Sequence, residues 1–287
     1  MRRPPVSALL ALIAALALLG DLAAGAGAAT ASAQQPAIAA PAPGSPQPGA
    51  TVPSPSPSSP QPETTPPPAT PAAPATQQLS NERTLTTWAH PLEPGAIYAK
   101  PEPHARRVGS VHMETEDGFP EVYLLLAAYT DASGREWVEL RIPGRPNGRV
   151  GWALRELLGG FHLTRWLIVV NLSRRRLTAY FDGDLRMTAP VGVGKPSTPT
   201  PTGHFWIRER FHLTNRSNPY WPYALGTSDY STLSEWPDGG VVGIHGDFGE
   251  PQKIPGDPSH GCVRMRDPDI AWLAPRVTLG TPVDIVR

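Results

Sequence analysis

Hydrophobic and polar residues alternate in short runs through the C-terminal two-thirds of the chain. Val122–Thr130 reads as a strand, Asp131-Ala-Ser-Gly134 as a turn, and Glu136–Ile142 as a second strand. In that second strand Val138, Leu140 and Ile142 share one face, and Trp137, Glu139 and Arg141 take the other. A turn from Pro143-Gly144 to Asn147-Gly148 leads into Arg149–Ala153. Strands this short and this closely spaced predict a small β-barrel. From Phe161 the pattern stays β-rich. Trp166–Val170 and Leu177–Phe181 predict a hairpin, and Asp182-Gly183 turns the chain into Leu185–Val193. Strands are also expected at His204–Arg208, Val241–His245 and Pro282–Val286. Asp267-Pro268 predicts a helix start, with Asp267 as N-cap and one short helix running to Ala274. The fold class is therefore mainly β, with two β-rich domains at 83–159 and 160–287 and a single short helix near the end.

The N-terminal pattern is different. Met1-Arg2-Arg3 precedes an almost wholly aliphatic run from Val6 to Gly20, and Ala31-Ser32-Ala33 fits a small-residue cleavage site. Residues 1–33 are expected to be a secretory signal peptide, which implies export to the periplasm or cell wall. An uncleaved anchor is the alternative, and membrane contact is expected only if this leader is retained. Residues 34–82 are dominated by Pro, Ala, Ser, Thr and Gln. Such a segment buries too little apolar surface to offset ordering and is expected to be a disordered linker. Fully extended, Gln34–Gln78 would reach about 140 Å. The formal net charge is zero, so no nucleic-acid partner is expected.

One cysteine occurs in 287 residues, Cys262, within Asp257-Pro-Ser-His-Gly-Cys-Val-Arg-Met265. An exported protein with one thiol cannot pair it within its own chain. A free thiol is about 3% ionised at pH 7, so full ionisation alone gains only about thirtyfold. A faster catalyst also needs a base and an oxyanion site. His260 lies two residues from Cys262, and His245 ends a predicted strand; either could be the base. The N–H groups of Gly261 and Cys262 could hold an oxyanion. Arg264 offers a fork for a carboxylate, and Ser259 a hydroxyl for a neighbouring imidazole or backbone group.

His245-Gly246, followed after a loop by Ser259-His260-Gly261-Cys262-Val263-Arg264, strongly resembles the L,D-transpeptidase (YkuD-type) catalytic family. Val191–Lys195 and Thr198–Gly203 look like the same family, and the likeness spans Trp166–Arg287. Asp247 stands where Thr or Ser is common. The resemblance implies Cys262 as nucleophile, His245 as general base, and Gly261 with Cys262 at the oxyanion. It implies that Gly246, Ser259, His260 and Arg264 shape the site and engage substrate. It also implies a lid over the site from the aromatic insertion containing Tyr220, Trp221, Tyr223 and Tyr230. No cofactor and no metal are implied. The expected partners are peptidoglycan stem peptides, as donor and acceptor in 3→3 cross-linking. Tyr98–Pro101, Trp137–Leu140 and Gly151–Ala153 resemble a bacterial SH3-like domain, which implies binding to cell-wall peptides.

Three other functions fit parts of the pattern. Water could replace the acceptor amine, giving an L,D-carboxypeptidase or endopeptidase. A metal hydrolase could use His245, Asp247, His260 and Asp257. A noncatalytic wall-binding protein would need only the linker and the first barrel.

Overall fold

The computed structural model describes residues 76–235 and 240–287. The expected signal peptide, and the expected linker up to residue 75, lie outside the described residues. Among the described residues no helix is long and apolar enough to cross a membrane. The described chain is mainly β, as its hydrophobic pattern predicts.

The first sheet contains β1 (Thr76–Gln78), β2 (Thr86–Ala89), β3 (Gly95–Tyr98), β4 (Arg107–Val111), β5 (Tyr123–Thr130), β6 (Glu136–Ile142), β7 (Arg149–Leu154) and β8 (His162–Thr164). Its order is β4-β3-β7-β6-β5-β2-β8, with β1 also on β5. The linker expected to extend to residue 82 ends earlier than its composition suggests. β1 pairs with β5, Leu79 packs on the core, and Glu82 grips Arg141 through two bonds of 2.7 and 2.8 Å. One apolar side chain and an edge of unpaired β5 backbone are enough to order this stretch. The face of β6 that carries Trp137 is also covered. Trp137 is 1% exposed, and its Nε1–H donates to Asp131 at 3.1 Å.

The second sheet contains β9 (Trp166–Asn171), β10 (Arg176–Phe181), β11 (Asp184–Gly194), β12 (Gly203–His212), β13 (Tyr223–Tyr230), β14 (Val241–His245), β15 (Gly256–Ser259), β16 (Val263–Met265) and β17 (Pro282–Val286). The order is β10-β9-β17-β12-β13-β14-β16-β11-β15, and β10 also pairs with β11, so the strand path returns on itself. Ile168, Leu177, Val191, Phe205, Ile207 and Val263 are among the buried side chains that fill it. Each such side chain contributes roughly 1.5–3 kcal/mol relative to exposure.

The helix α1 (Asp267–Leu273) forms where expected, but Asp267 is its first residue rather than its cap. Arg266 is the N-cap and makes no side-chain cap bond. The Asp267 N–H instead donates to the Asp247 carboxylate at 3.3 Å. A carboxylate near a helix N-terminus is electrostatically favourable, so Asp247 replaces the local cap.

The two sheets meet through a third buried cluster. Trp88, Val122 and Leu124 of the first pack on Trp206 of the second, whose Nε1–H donates to the Val122 carbonyl at 2.7 Å. Beside it Arg208, 3% exposed, donates from Nε to Glu121 at 2.8 Å and from Nη1 to Tyr230 at 3.1 Å. Glu116 completes the group at 3.0 Å from Arg208. Arg145 and Asn147, from the turn before β7, bond the carbonyls of Ser231 and Tyr230.

Candidate active site

β14 lies between β13 and β16 and runs parallel to β16, with His245 in register with Arg264. That pairing puts Cys262, the residue before β16, beside β14. The Gly243 N–H on β14 donates to Cys262 Sγ at 3.5 Å. His245 is 3% exposed, and its Nδ1 lies 2.9 Å from the Gly246 carbonyl. A carbonyl only accepts, so Nδ1 carries the proton and Nε2 keeps a lone pair. Tyr220 packs edge-on against the imidazole, with ring centroids 4.8 Å apart. Cys262 and His245 both open into two cavities of about 460 and 260 Å³.

Backbone geometry maintains this arrangement. Gly246 admits no side chain, because a Cβ there would lie 1.8 Å from the Trp221 carbonyl oxygen. Gly261 has φ +135°, a conformation that favours glycine. Thr200, in the stretch singled out upstream, donates to the Gly261 carbonyl at 2.7 Å and accepts from the Gly194 N–H at 2.9 Å. The Lys195 N–H donates to the Ser259 carbonyl at 3.0 Å. The 191–203 segment therefore braces the loop that carries the thiol.

Burial sets the resting protonation. It holds His245 down to about 4, with the Arg264 charge acting the same way and the Gly246 bond opposing it. Burial also pushes the Cys262 thiol up; the Gly243 N–H works against this, while Asp229 reinforces it. The pair therefore rests as neutral thiol and neutral imidazole, with the imidazole able to take the proton as sulfur attacks. An ionised sulfur at rest is not what these surroundings favour.

Residues 165–285 match the family model described as the YkuD L,D-transpeptidase catalytic domain. The chain is 33% identical over 146 residues to YkuD of Bacillus licheniformis, covering 50% of this chain and 81% of that one. It belongs to the L,D-transpeptidase family. It is also 30% identical over 170 residues to L,D-transpeptidase 1 of Mycobacterium tuberculosis, and 35% identical over 120 residues to YkuD of Bacillus subtilis. These alignments cover 53% and 42% of this chain, and 65% of each relative's length.

In this member of the family the structure separates the two candidate histidines. His245 is buried on β14 and opens into both cavities, whereas His260 is exposed, lines the smaller one and lies 2.8 Å from Lys195 Nζ. Ser259 bonds backbone rather than imidazole: its hydroxyl donates to the Cys262 carbonyl at 2.6 Å and accepts the Gly261 N–H at 3.1 Å. That second bond engages one of the two N–H groups expected at the oxyanion and leaves the Cys262 N–H to fill that place. Arg264 lines the smaller cavity, donates to Glu250 at 3.0 Å and stacks over Phe248. Asp247 does not bond the imidazole. Its carboxylate accepts the Gly249 and Asp267 N–H groups, and the Gly246 carbonyl takes the imidazole proton instead.

The aromatic lid divides in the fold. Tyr220 lines both cavities, while Trp221 lines neither and faces Arg216. Tyr223 stacks on His212, and Tyr230 is buried at the contact between the sheets. These last two are the first and last residues of β13. The four groups of the metal reading are dispersed: Asp257 pairs with Arg175, His260 with Lys195, and Asp247 caps α1. Among the described residues no three His, Cys, Asp or Glu side chains are grouped to hold a metal ion.

Sequence reading missed two buried carboxyls near the thiol. Asp229 on β13 is pushed to about 7 by burial and accepts the Thr227 hydroxyl. Glu209 on β12 lines the larger cavity together with Asp117, from the segment between β4 and β5. Neither lies near a recognisable motif. Glu209 does sit between Arg208 and Arg210 in the middle of β12, and that local run of charge within a strand was the available signal.

Proposed function

We propose that the protein is an exported cysteine L,D-transpeptidase that forms 3→3 cross-links between peptidoglycan stems. One observation carries the reading: a thiol at the start of β16 and a neutral, oriented imidazole on the adjacent parallel strand β14 open together into two cavities. Cys262 Sγ attacks the carbonyl of the third stem residue, and His245 Nε2 takes the thiol proton. As the C–N bond to the terminal D-alanine breaks, that proton passes to the departing nitrogen. The Cys262 N–H faces the developing oxyanion. A side-chain amine of a second stem then attacks the thioester. A C–N bond forms, the C–S bond breaks, and the amine proton returns through His245 to the sulfur. Two cavities at one sulfur suit a reaction in which donor and acceptor meet there.

The N-terminal leader and proline-rich segment support export to the periplasm or cell wall, where those substrates occur. The first domain, read as SH3-like, would add affinity for wall peptide. The test incubates the full chain with tetrapeptide stems and follows intact mass and products. An adduct of donor minus D-alanine on the protein, and cross-linked dimer in solution, are expected. Cys262→Ala should abolish both. Equal turnover by that variant would overturn the mechanism, and tripeptide without dimer would make the protein a carboxypeptidase.

A further inference from the structure

The end of β13 is held from outside its own sheet. Tyr230 and Ser231 are both buried there. Asn147, in the turn between β6 and β7, donates from Nδ2 to the Tyr230 carbonyl at 3.0 Å and accepts the Tyr230 N–H on Oδ1 at 3.2 Å. One side-chain amide thus satisfies both backbone groups of a residue, as a paired strand would. Arg145, two residues earlier, donates to the Ser231 carbonyl from Nη2 at 2.7 Å and from Nε at 3.2 Å, and its guanidinium lies 5.0 Å from the Tyr230 ring centroid. Gly240 leaves room for that fork, because a Cβ there would stand 2.9 Å from Arg145 Nη2. The Tyr230 hydroxyl is fixed as well, by Arg208 at 3.1 Å and by Glu116.

Ser231 in turn touches the loop that carries the thiol. It lines the smaller cavity with Cys262, and its Cβ stands 3.2 Å from the point a Gly261 Cβ would occupy. Gly261 is the residue with φ +135°. Its carbonyl belongs to the same planar peptide as the Cys262 N–H, so whatever fixes one fixes the direction of the other. Thr200 bonds that carbonyl at 2.7 Å, and Ser231 limits the space beside it. We propose that Asn147 and Arg145 are positioning residues for acyl transfer: from the β6–β7 turn they fix Tyr230 and Ser231, and Ser231 keeps the Gly261–Cys262 peptide turned so that its N–H faces the oxyanion. This rests on the transpeptidase reading and gives the first sheet a part in the chemistry, beyond any affinity for the wall. Neither residue touches substrate or the reacting atoms; both act through Ser231.

The experiment compares the full chain with Asn147→Ala, Arg145→Ala and Arg145→Lys. Release of D-alanine from graded tetrapeptide stem gives the limiting rate and the donor concentration for half that rate. Alkylation by iodoacetamide reports the thiol separately, because displacement at a saturated carbon needs no oxyanion site. Each alanine variant should lower the limiting rate about tenfold, the cost of displacing a catalytic dipole by a fraction of an ångström, and leave both the half-maximal concentration and the alkylation rate within about twofold. Arg145→Lys, which keeps a charged donor for the Ser231 carbonyl, should restore the rate to within about threefold of the unmodified chain. Denaturant unfolding checks that each variant is folded. Asn147→Asp, of the same size, replaces Asn147→Ala if that variant is not, with the same loss expected because its carboxylate opposes the Tyr230 carbonyl. An unchanged limiting rate in the folded variants overturns the assignment. So does alkylation slowed by the same factor as D-alanine release, which would place the effect on the sulfur, or a raised half-maximal concentration at an unchanged limiting rate, which would place it in donor binding. Failure of the unmodified chain to release any D-alanine overturns the transpeptidase reading itself, and the assignment with it.

Discussion

Buried ionisable groups are treated in opposite ways at two places only a few residues apart in sequence. Where the sheets meet, Arg208 is surrounded by Glu121, Glu116 and Tyr230, and its charge is matched by hydrogen-bonded partners. Around the thiol, His245, Cys262 and Asp229 are shielded from water with few partners, and burial pushes each toward its neutral form. Paired charge makes a rigid contact that resists change. Unpaired, neutral groups are ready to exchange protons, as acyl transfer requires. The same desolvation therefore secures one region and prepares the other for chemistry.

The largest test breaks the paired side. Glu121→Ala leaves Arg208 buried without its main partner and should destabilise the protein by about 3–5 kcal/mol in chemical denaturation. A loss below about 1 kcal/mol, the range of exposed ion pairs, would show that the contact is better hydrated than its burial implies.

The next tests the unpaired side through pH. His245 is held at about 4 in the folded protein against an ordinary 6.5. Between those values the unfolded chain binds the extra proton, so stability falls as pH drops through 6.5 and levels off near 4. His245→Gln should remove this component, about 3 kcal/mol at most. Asp229 and Glu209, held up by burial, slope the other way over part of the range. The quantity to measure is therefore the difference in unfolding free energy between the chain and His245→Gln at pH 4.5 and 7.5. A pH-independent difference would mean that His245 is not buried neutral.

The smallest effect concerns Asp229, whose charge disfavours the Cys262 thiolate. Asp229→Asn should speed alkylation of Cys262 by iodoacetamide at pH 8, by less than about tenfold. Slower alkylation would reverse the assigned sign.

Much of this architecture could be read from the chain. The strands at Glu136–Ile142, Val241–His245 and Pro282–Val286 form with the expected bounds, because alternating side chains have one face to bury. Gly246 and Gly261 stand where the backbone admits almost nothing else. The lone Cys262 announced itself by composition, and its motif announced the family. Local pattern also misled: Asp267 resembled a cap, and Tyr230 resembled part of a lid, because capping and burial depend on neighbours that sequence spacing does not locate.

The sequence by itself determined the β-rich class and the family, since each follows from local periodicity or a short contiguous motif. Only the tertiary structure buried His245 on β14 while leaving His260 exposed, turned Asp247 from the imidazole to the helix, and brought Asp117 to Glu209. Those outcomes depend on which distant strands pair and what they exclude from water, and both are decided by packing across the whole chain.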